Sequence, residues 1–184
     1  MQSLLPIAEK IAGAAAETGG DLAKVTDAVK HVNDRARTFG VALSSCVPPA
    51  AGKAIFDLPE GEIEFGVGIH GEPGRRRAKL GRASEVVDVM VEAVLSDLKA
   101  KHGAKVLVFV NGMGGTPLLE LYLIYGEIDE KLRKAGLEPV RNLVGSYITS
   151  LEMAGASLTV LELNDELIRL WDTPVHTAAL RWGV

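Results

Sequence analysis

Apolar positions recur at helical spacing through the first forty residues of the chain. One stripe of leucine, isoleucine and alanine ends at Gly19 and Gly20, and a second follows Asp21, which is a typical N-cap residue. The members of the second stripe are Leu22, Val25, Val29, Val32, Ala36 and Phe39. Two helices are therefore predicted over residues 1–39. They are expected to form an arm that packs against a partner outside this chain.

The spacing changes to that of β-strands after Gly40. Residues 40–47 predict one strand, which ends at two prolines, and residues 62–70 predict another with a strict period of two. The alternation puts Ile63, Phe65, Val67 and Ile69 on one face of the predicted sheet. On the other face it puts Gly66, Gly68 and His70.

Helices and strands alternate through the rest of the chain. The pattern predicts a helix over 84–101, a strand buried on both faces over 105–110, and a helix that begins with Thr116 as N-cap and Pro117 in its first turn. Strands over 140–147 and 157–163 and a short helix over 165–171 follow. With no internal repeat and no linker, residues 1–184 are predicted to form a single α/β domain, a mixed β-sheet packed with helices.

Composition excludes several classes of function. The 184 residues carry a net charge of -4, so the chain lacks the basic field that a nucleic-acid partner requires. Since no stretch approaches the ~20 apolar residues of a membrane span, a membrane protein is not predicted. Cys46 is the one cysteine, within an apolar run, which indicates a buried thiol and a reducing compartment. Without a recognisable signal peptide, the predicted location is the cytoplasm.

The segment 64–74 is the strongest candidate for chemistry. Glycines weaken a strand, so two of them on one face need a reason, and space for a small ligand beside His70 would supply one. His70 stands where the predicted strand meets a Gly/Pro loop, a position that favours binding residues. Spacing alone leaves a second interpretation open, in which His70 only caps the strand through a hydrogen bond.

A second glycine-rich segment, 111–117, follows the predicted buried strand. Free N–H groups at a helix N-terminus can hold phosphate, but the segment has neither the P-loop lysine nor the dinucleotide fingerprint. A tight turn is therefore favoured over an anion site. His31 is interpreted as a solvated or partner-facing residue, His102 as a helix C-cap and His176 as a packing residue. No metal-ligand spacing is recognisable.

Five segments together resemble the substrate-binding subunit of the dihydroxyacetone kinase family. They are residues 40–53, which begin Gly-Val-Ala-Leu-Ser-Ser-Cys, residues 64–74 with Gly-Ile-His-Gly-Glu-Pro-Gly, and residues 111–118, 147–155 and 172–177. They occur in the family's order and span most of the chain. The resemblance implies the second domain of a fold shared with DegV-like proteins.

In that family the histidine of the Gly-Ile-His-Gly motif binds the ketone of dihydroxyacetone as a hemiaminal, which by resemblance assigns the catalytic role to His70. Gly66 and Gly68, which the alternation places beside His70, are predicted to be the accompanying substrate-binding residues. No cofactor is expected on this chain, because the phosphoryl group would come from a partner that carries ATP-Mg or phosphate of the phosphotransferase system. A nucleotide-binding kinase subunit is the implied partner in the first case.

The family's subunit is about twice as long as this chain, and its amino-terminal half is not represented here. The resemblance therefore implies that the amino-terminal half is a further partner, that this chain alone has no kinase turnover, and that an uncovered apolar patch promotes homo-oligomers. Two alternatives stay open: a non-catalytic ligand-sensing or regulatory module of the same fold, and a kinase component for a related short ketose such as erythrulose.

Overall fold

The computed structural model describes residues 4–68 and 74–183. Its main feature is a six-stranded sheet with the strand order β3-β2-β1-β6-β4-β5, and a two-stranded ribbon, β7-β8, lies near the end of the chain. The helices are α1 Leu5–Glu17, α2 Leu22–Arg35, α3 Ala83–Leu98, α4 Leu118–Lys134 and α5 Asp165–Asp172. The strands are β1 Ala36–Ala42, β2 Glu62–Phe65, β3 Arg76–Lys79, β4 Lys105–Gly112, β5 Glu138–Gly145, β6 Gly155–Glu162, β7 Val175–His176 and β8 Arg181–Trp182.

The sheet is mixed, as the sequence predicts. β6 is antiparallel to both β1 and β4, and β4 is parallel to β5, so β1, β4 and β5 run in the same direction. β2 and β3 extend the β1 side as an antiparallel hairpin. The carboxyl ends of the three parallel strands consequently meet at one edge of the sheet, where β6 begins.

Two layers of helices cover the sheet. Helices α3 and α4 pack on one face, in a cluster that includes Val87, Met90 and Ile128. Helices α1 and α5 pack on the other face, where Phe109 and Trp171 are fully buried in a second cluster. β4 supplies side chains to both clusters, which confirms the prediction that its apolar run is buried on both faces.

The apolar stripe of α1 is used within this domain. Ile7 and Ile11 are fully buried and belong to the cluster with Phe109 and Trp171. Since these side chains are expelled from water by packing on the chain's own sheet, the stripe predicted for an outside contact stabilises the domain itself. The extent of the domain, residues 1–184, stays a prediction.

The second helix is shorter than its apolar stripe predicts. Its N-cap is Asp21 as expected, with a carboxylate that accepts from the Lys24 N–H at 2.9 Å, but it ends at Arg35. Residues from Ala36 onward form β1, which pairs with β6 along its whole length. In this strand Ala36 and Phe39 lie on opposite faces of the sheet, and each packs against the cluster on its own face. The apolar positions that had suggested a helix are therefore explained by a strand.

In the part of the chain that the structure covers, no helix combines the length and the apolar character needed to cross a membrane.

Candidate functional site

The edge where β1, β4 and β5 end is built from three loops that hydrogen-bond to one another. Asn111, at the end of β4 and fully buried, accepts from the backbone N–H groups of Tyr147 and Ile148 at 2.9 Å each. Its side-chain amide donates to the carbonyl oxygen of Ile148 at 2.7 Å. One side chain thereby fixes the loop after β5, because it satisfies three backbone groups near the sheet edge.

Thr116 fixes the second loop in a similar way. The buried hydroxyl group of Thr116 donates to the carbonyl oxygen of Gly155 and accepts from the Gly155 N–H, each at 2.8 Å. Thr116 was predicted as the N-cap of α4, and this is wrong: α4 begins at Leu118 and its N-cap is Pro117. The hydroxyl joins the loop after β4 to the start of β6 instead.

Replacing Thr116 by valine is expected to lower the free energy of unfolding by about 1–2 kcal/mol, because the Gly155 N–H loses its partner in a buried position. Valine keeps the shape of threonine, and Thr116→Ser, which keeps the hydroxyl, is the matched control. Urea unfolding of the three proteins measures the difference. Equal midpoints for the valine variant and the native chain would contradict the role of this hydroxyl.

The glycine-rich segment 111–117 is a turn. The N–H of Met113 donates to the Gly155 carbonyl at 3.2 Å, and the N–H of Gly115 donates to the Met153 carbonyl at 2.8 Å. Because these two N–H groups are bonded to the protein itself, they are not available to hold a phosphate. Tight packing explains Gly112, since a Cβ there would lie 2.6 Å from the Ser146 hydroxyl.

The segment that leads to His70 is not a strand over its predicted length. β2 ends at Phe65, and Gly66 has a φ of 81°, which is in the left-handed region that favours glycine. The turn at Gly66 sends Val67 into a third buried cluster, away from the one that holds Ile63 and Phe65. Strict alternation fails here because a change of backbone direction breaks the period of two.

The glycine that clears space on the sheet is Gly40, which the sequence did not single out for this purpose. A Cβ at Gly40 would lie 2.6 Å from the carbonyl oxygen of Val67 and 3.0 Å from the Met113 Cε. The Gly40 carbonyl also accepts from the N–H of Gly66 at 2.7 Å. Gly66 and Gly68 themselves are half-buried in the connection between β2 and β3.

The same connection is tied again where it returns to β3. The N–H of Arg75 donates to the Phe65 carbonyl at 2.7 Å, and a Cβ on Gly74 would lie 2.6 Å from a Glu64 carboxylate oxygen. The two ends of the loop, Gly66 and Arg75, are thus held on the β1–β2 side of the sheet. Ile69, His70 and the three residues after it lie outside the described residues, and the role of His70 stays a prediction.

A third cluster of buried side chains supports the first end of this loop, near Gly66. It contains Ala42, Cys46, Val67, Met113 and Met153, all at most 7% exposed. The Cys46 sulfur lies 3.5 Å from the Ser150 hydroxyl oxygen, which confirms the predicted buried thiol. The loop at Gly66 to Gly68 therefore starts from a packed base.

The three remaining histidines lie in separate parts of the chain. His31 is half-buried on α2, while His102 and His176 are exposed. His102 was interpreted as the C-cap of its helix, but α3 ends at Leu98 with Lys99 as C-cap. Within residues 4–68 and 74–183, no group of histidine, cysteine, aspartate and glutamate side chains is arranged to hold a metal ion.

A groove that the sequence analysis missed runs between α1 and the segment after α5. It has a volume of about 920 Å³ and is lined mainly by apolar side chains, with Tyr147 and Ile148 at the end near the candidate site. Lys10 lies in its wall, 7% exposed, and donates to the Thr173 carbonyl oxygen at 2.7 Å. Burial lowers the pKa of the Lys10 amine, and the charge of Asp172 offsets part of that effect.

Asp172 anchors the segment that forms the other wall of the groove. Its two carboxylate oxygens accept from the Arg141 guanidinium at 2.7 and 2.6 Å. The hydrogen bond from Arg141 lowers the pKa of the Asp172 carboxyl group. This ion pair and the bond from Lys10 to Thr173 attach the segment after α5 to β5 and α1.

Comparison with known proteins gives a consistent set of matches. Residues 5–179 match the model of the Dak1 domain. The chain is 40% identical over 199 residues to the dihydroxyacetone-binding subunit DhaK of the PEP-dependent dihydroxyacetone kinase of Escherichia coli, which covers 95% of this chain and 56% of that protein. It is 43% identical to the L-erythrulose 1-kinase of Mycolicibacterium smegmatis, over 95% of this chain and 31% of that one.

Solved structures agree with these relatives. The dihydroxyacetone kinase operon co-activator Dha-DhaQ superposes with a TM-score of 0.86 at 31% identity, over 91% of this chain and 52% of that one. The dihydroxyacetone kinase of C. freundii superposes with a TM-score of 0.81 at 31% identity, over 96% and 32%. A DegV lipid-binding protein of Thermotoga maritima, at 12% identity and a TM-score of 0.60, shares the fold alone, over 88% and 56%.

The chain spans about half the length of the DhaK relative and of the co-activator. The predicted fold class, a mixed α/β sheet of the dihydroxyacetone kinase and DegV-like type, is confirmed.

Proposed function

The chain belongs to the Dak1 domain family, and from this premise we propose that it is the part of a dihydroxyacetone kinase that captures the ketone substrate on His70. The observation that carries the proposal is the loop between β2 and β3. It contains the family's Gly-Ile-His-Gly-Glu-Pro-Gly sequence, and both of its ends are tied to the sheet, by Gly66 to Gly40 and by Arg75 to Phe65. Such a base can present a reactive side chain in a fixed position.

The proposed chemistry is an addition without loss of water. A neutral imidazole nitrogen of His70 attacks the carbonyl carbon, and the carbon–oxygen π bond opens onto the oxygen. The oxygen gains a proton and the ring loses one, so the hemiaminal contains all atoms of both reactants. The covalent bond holds a substrate too small to offer much surface, and it excludes glycerol, which has no carbonyl group.

Phosphoryl transfer requires other components in this proposal. The relatives include dihydroxyacetone-binding subunits of PEP-dependent and PTS-dependent kinases, and the C. freundii kinase has been solved with AMP-PNP and Mg²⁺. By analogy, a partner carries ATP-Mg or a transferable phosphate, and the other half of the family subunit completes the pocket. This chain would hold no cofactor and would not turn over alone. A cytoplasmic setting is part of the proposal, because Cys46 is a free, buried thiol.

Intact-protein mass spectrometry tests the proposal. The chain, alone and mixed with the other half of a family subunit, is incubated with dihydroxyacetone and in parallel with glycerol. We expect a gain of one substrate mass with dihydroxyacetone only, because only the ketone can be attacked. Equal spectra with and without dihydroxyacetone, in both mixtures, would overturn the proposal.

The co-activator with a TM-score of 0.86 favours a second candidate, a ligand-sensing module without catalytic function. Both candidates allow ligand capture, so the discriminating measurement is phosphoryl transfer to dihydroxyacetone after a phosphoryl-donating kinase subunit has been added. Product formation supports the kinase component, whereas capture without product supports the sensor. The erythrulose kinase relative makes erythrulose the competing substrate to include in the same assay.

A further inference from the structure

A polar cavity lies between the end of α3 and the loop that joins β2 to β3. Its volume is about 470 Å³, and it is lined by β1, the second half of α3 and Arg75. The β1 residues in its wall, 37–39, lie beyond the stretch at Val41 and Ala42 that pairs with β2. The cavity is therefore situated where the chain leaves the sheet at Gly66.

The charged side chains in the wall of this cavity are mostly cations. Among the described lining residues the cations are Arg37, Arg75 and Lys99, and the anion is Asp97. The Asp97 carboxylate pairs with Arg37, at 2.6 Å from its Nε. Within the part of the chain that the structure describes, Arg75 and Lys99 make no side-chain hydrogen bond or ion pair. Two cations thus line the cavity without a carboxylate to balance them.

Arg37 is held in a fixed position at the base of the cavity. Its Nη1 donates to the carbonyl oxygens of Asp34 and Ala36 at 2.9 and 2.8 Å, and its Nε is occupied by Asp97. Its Nη2 has no acceptor among the described residues and stays available as a donor. A guanidinium group that is already ordered loses little side-chain entropy when it binds an anion.

We propose that this cavity binds a dianionic phosphate, either as the free ion or as the ester of a short carbon chain. Guanidinium and ammonium groups bind phosphate through charge-assisted hydrogen bonds, and arginine can donate two of them to one phosphate. Phe39 and Val94 supply an apolar wall beside the cations. Since the cavity is several times larger than a phosphate ion, it has room for the carbon chain of an ester.

Arg75 connects this cavity to the candidate site. Its aliphatic stem lies over Gly66, where an added Cβ would be 3.0 Å from the Arg75 Cγ, and its N–H donates to the Phe65 carbonyl oxygen at 2.7 Å. An anion that holds the guanidinium group of Arg75 should therefore stabilise the loop at Gly66. By linkage, a well-ordered loop should bind the anion more tightly. The site rests on these described residues and does not depend on the proposed role of His70.

Isothermal titration calorimetry at low ionic strength tests the site, with glycerol 3-phosphate and inorganic phosphate as probes and glycerol as the uncharged control. We expect saturable binding of the phosphate compounds and none of glycerol. Arg75→Gln and Lys99→Gln should each raise the dissociation constant at least about fivefold, because each removes a charged donor. Lys79→Gln is the matched control: Lys79 is exposed on β3 and is not among the described lining residues, so its Kd should stay within about twofold of the native value.

A native chain that binds neither phosphate compound would overturn the inference, as would Arg75→Gln and Lys99→Gln variants that both bind like the native chain. The two probes distinguish the sources of the phosphoryl group. Tighter binding of glycerol 3-phosphate would identify an ester as the ligand and support a contact of its carbon chain with Phe39. Equal or tighter binding of inorganic phosphate would identify the free ion, and both results support the site.

Exchange of the Gly66 amide hydrogen, which is bonded to the Gly40 carbonyl oxygen, measures the coupling to the loop. Glycerol 3-phosphate should slow this exchange in the native chain and should not slow it in Arg75→Gln. Phosphate binding that leaves the Gly66 exchange unchanged would contradict the coupling. Because neither readout involves ketone, a chain that binds phosphate but captures no dihydroxyacetone would refute the proposed function and leave this site standing.

Discussion

A chain with His70 replaced by alanine is expected to give no covalent adduct with dihydroxyacetone under conditions where the native chain is modified. The proposed bond forms at an imidazole nitrogen, and alanine has no atom that could take its place. A complex reconstituted with this variant should lose ketone phosphorylation by at least about a hundredfold, because the substrate is then held only by weak contacts. Adduct mass and phosphorylation rate are measured on the same preparations.

The other histidines of the chain provide the controls for this experiment. His31, His102 and His176 are each replaced by alanine in separate variants, which should retain the adduct since none of them belongs to the loop between β2 and β3. A His70→Ala chain that captures ketone or phosphorylates it at the native rate would refute the assignment.

The sequence predicted the elements whose signals are local. Asp21 and Asn164 cap α2 and α5 through side-chain bonds to Lys24 and Leu167, as their residue types indicate. β4 is recognisable because a strand between two helical layers must be apolar on both faces. The mixed sheet follows from the order of such elements along the chain.

The errors arose where a tertiary contact decides the local structure. The stripe in α2 runs into Ala36 and Phe39, but pairing with β6 makes these residues a strand. Thr116 has the residue type of an N-cap, yet its hydroxyl bonds to Gly155, which lies 39 residues away in sequence. Neither outcome can be deduced from spacing, because the partner is brought close only by the fold.

The candidate site shows the same division. The motif singled out His70 with Gly66 and Gly68, whose roles toward a substrate stay predictions, but the turn of the backbone at Gly66 was not predicted. Gly66 turns the chain, while Gly40, on a different strand, gives the space that the Val67 carbonyl occupies. A glycine in a strand is visible in sequence, whereas the segment that crosses it is not.

Replacing Gly40 by alanine is expected to disturb the loop between β2 and β3. The new Cβ would lie 2.6 Å from the Val67 carbonyl oxygen, well inside contact distance, so the backbone at Val67 must move. Because overpacking a filled site is costly, the free energy of unfolding should fall by about 2–3 kcal/mol. If His70 captures the ketone, adduct formation should fall between about tenfold and a hundredfold, since small displacements of a reacting group are expensive.

Gly126→Ala is the matched control for this change. Gly126 lies within α4 with no atom within 4 Å of an added Cβ, so its replacement should leave ketone capture unchanged and favour the helix. Urea unfolding gives the stability of both variants, and intact mass gives their capture of dihydroxyacetone. Exchange of the Gly66 amide hydrogen, bonded to the Gly40 carbonyl at 2.7 Å, reports on the loop independently of any substrate. Gly40→Ala should speed that exchange, and Gly126→Ala should not. A Gly40→Ala chain with native exchange and native stability would show that the contact between Gly40 and Val67 does not position the loop.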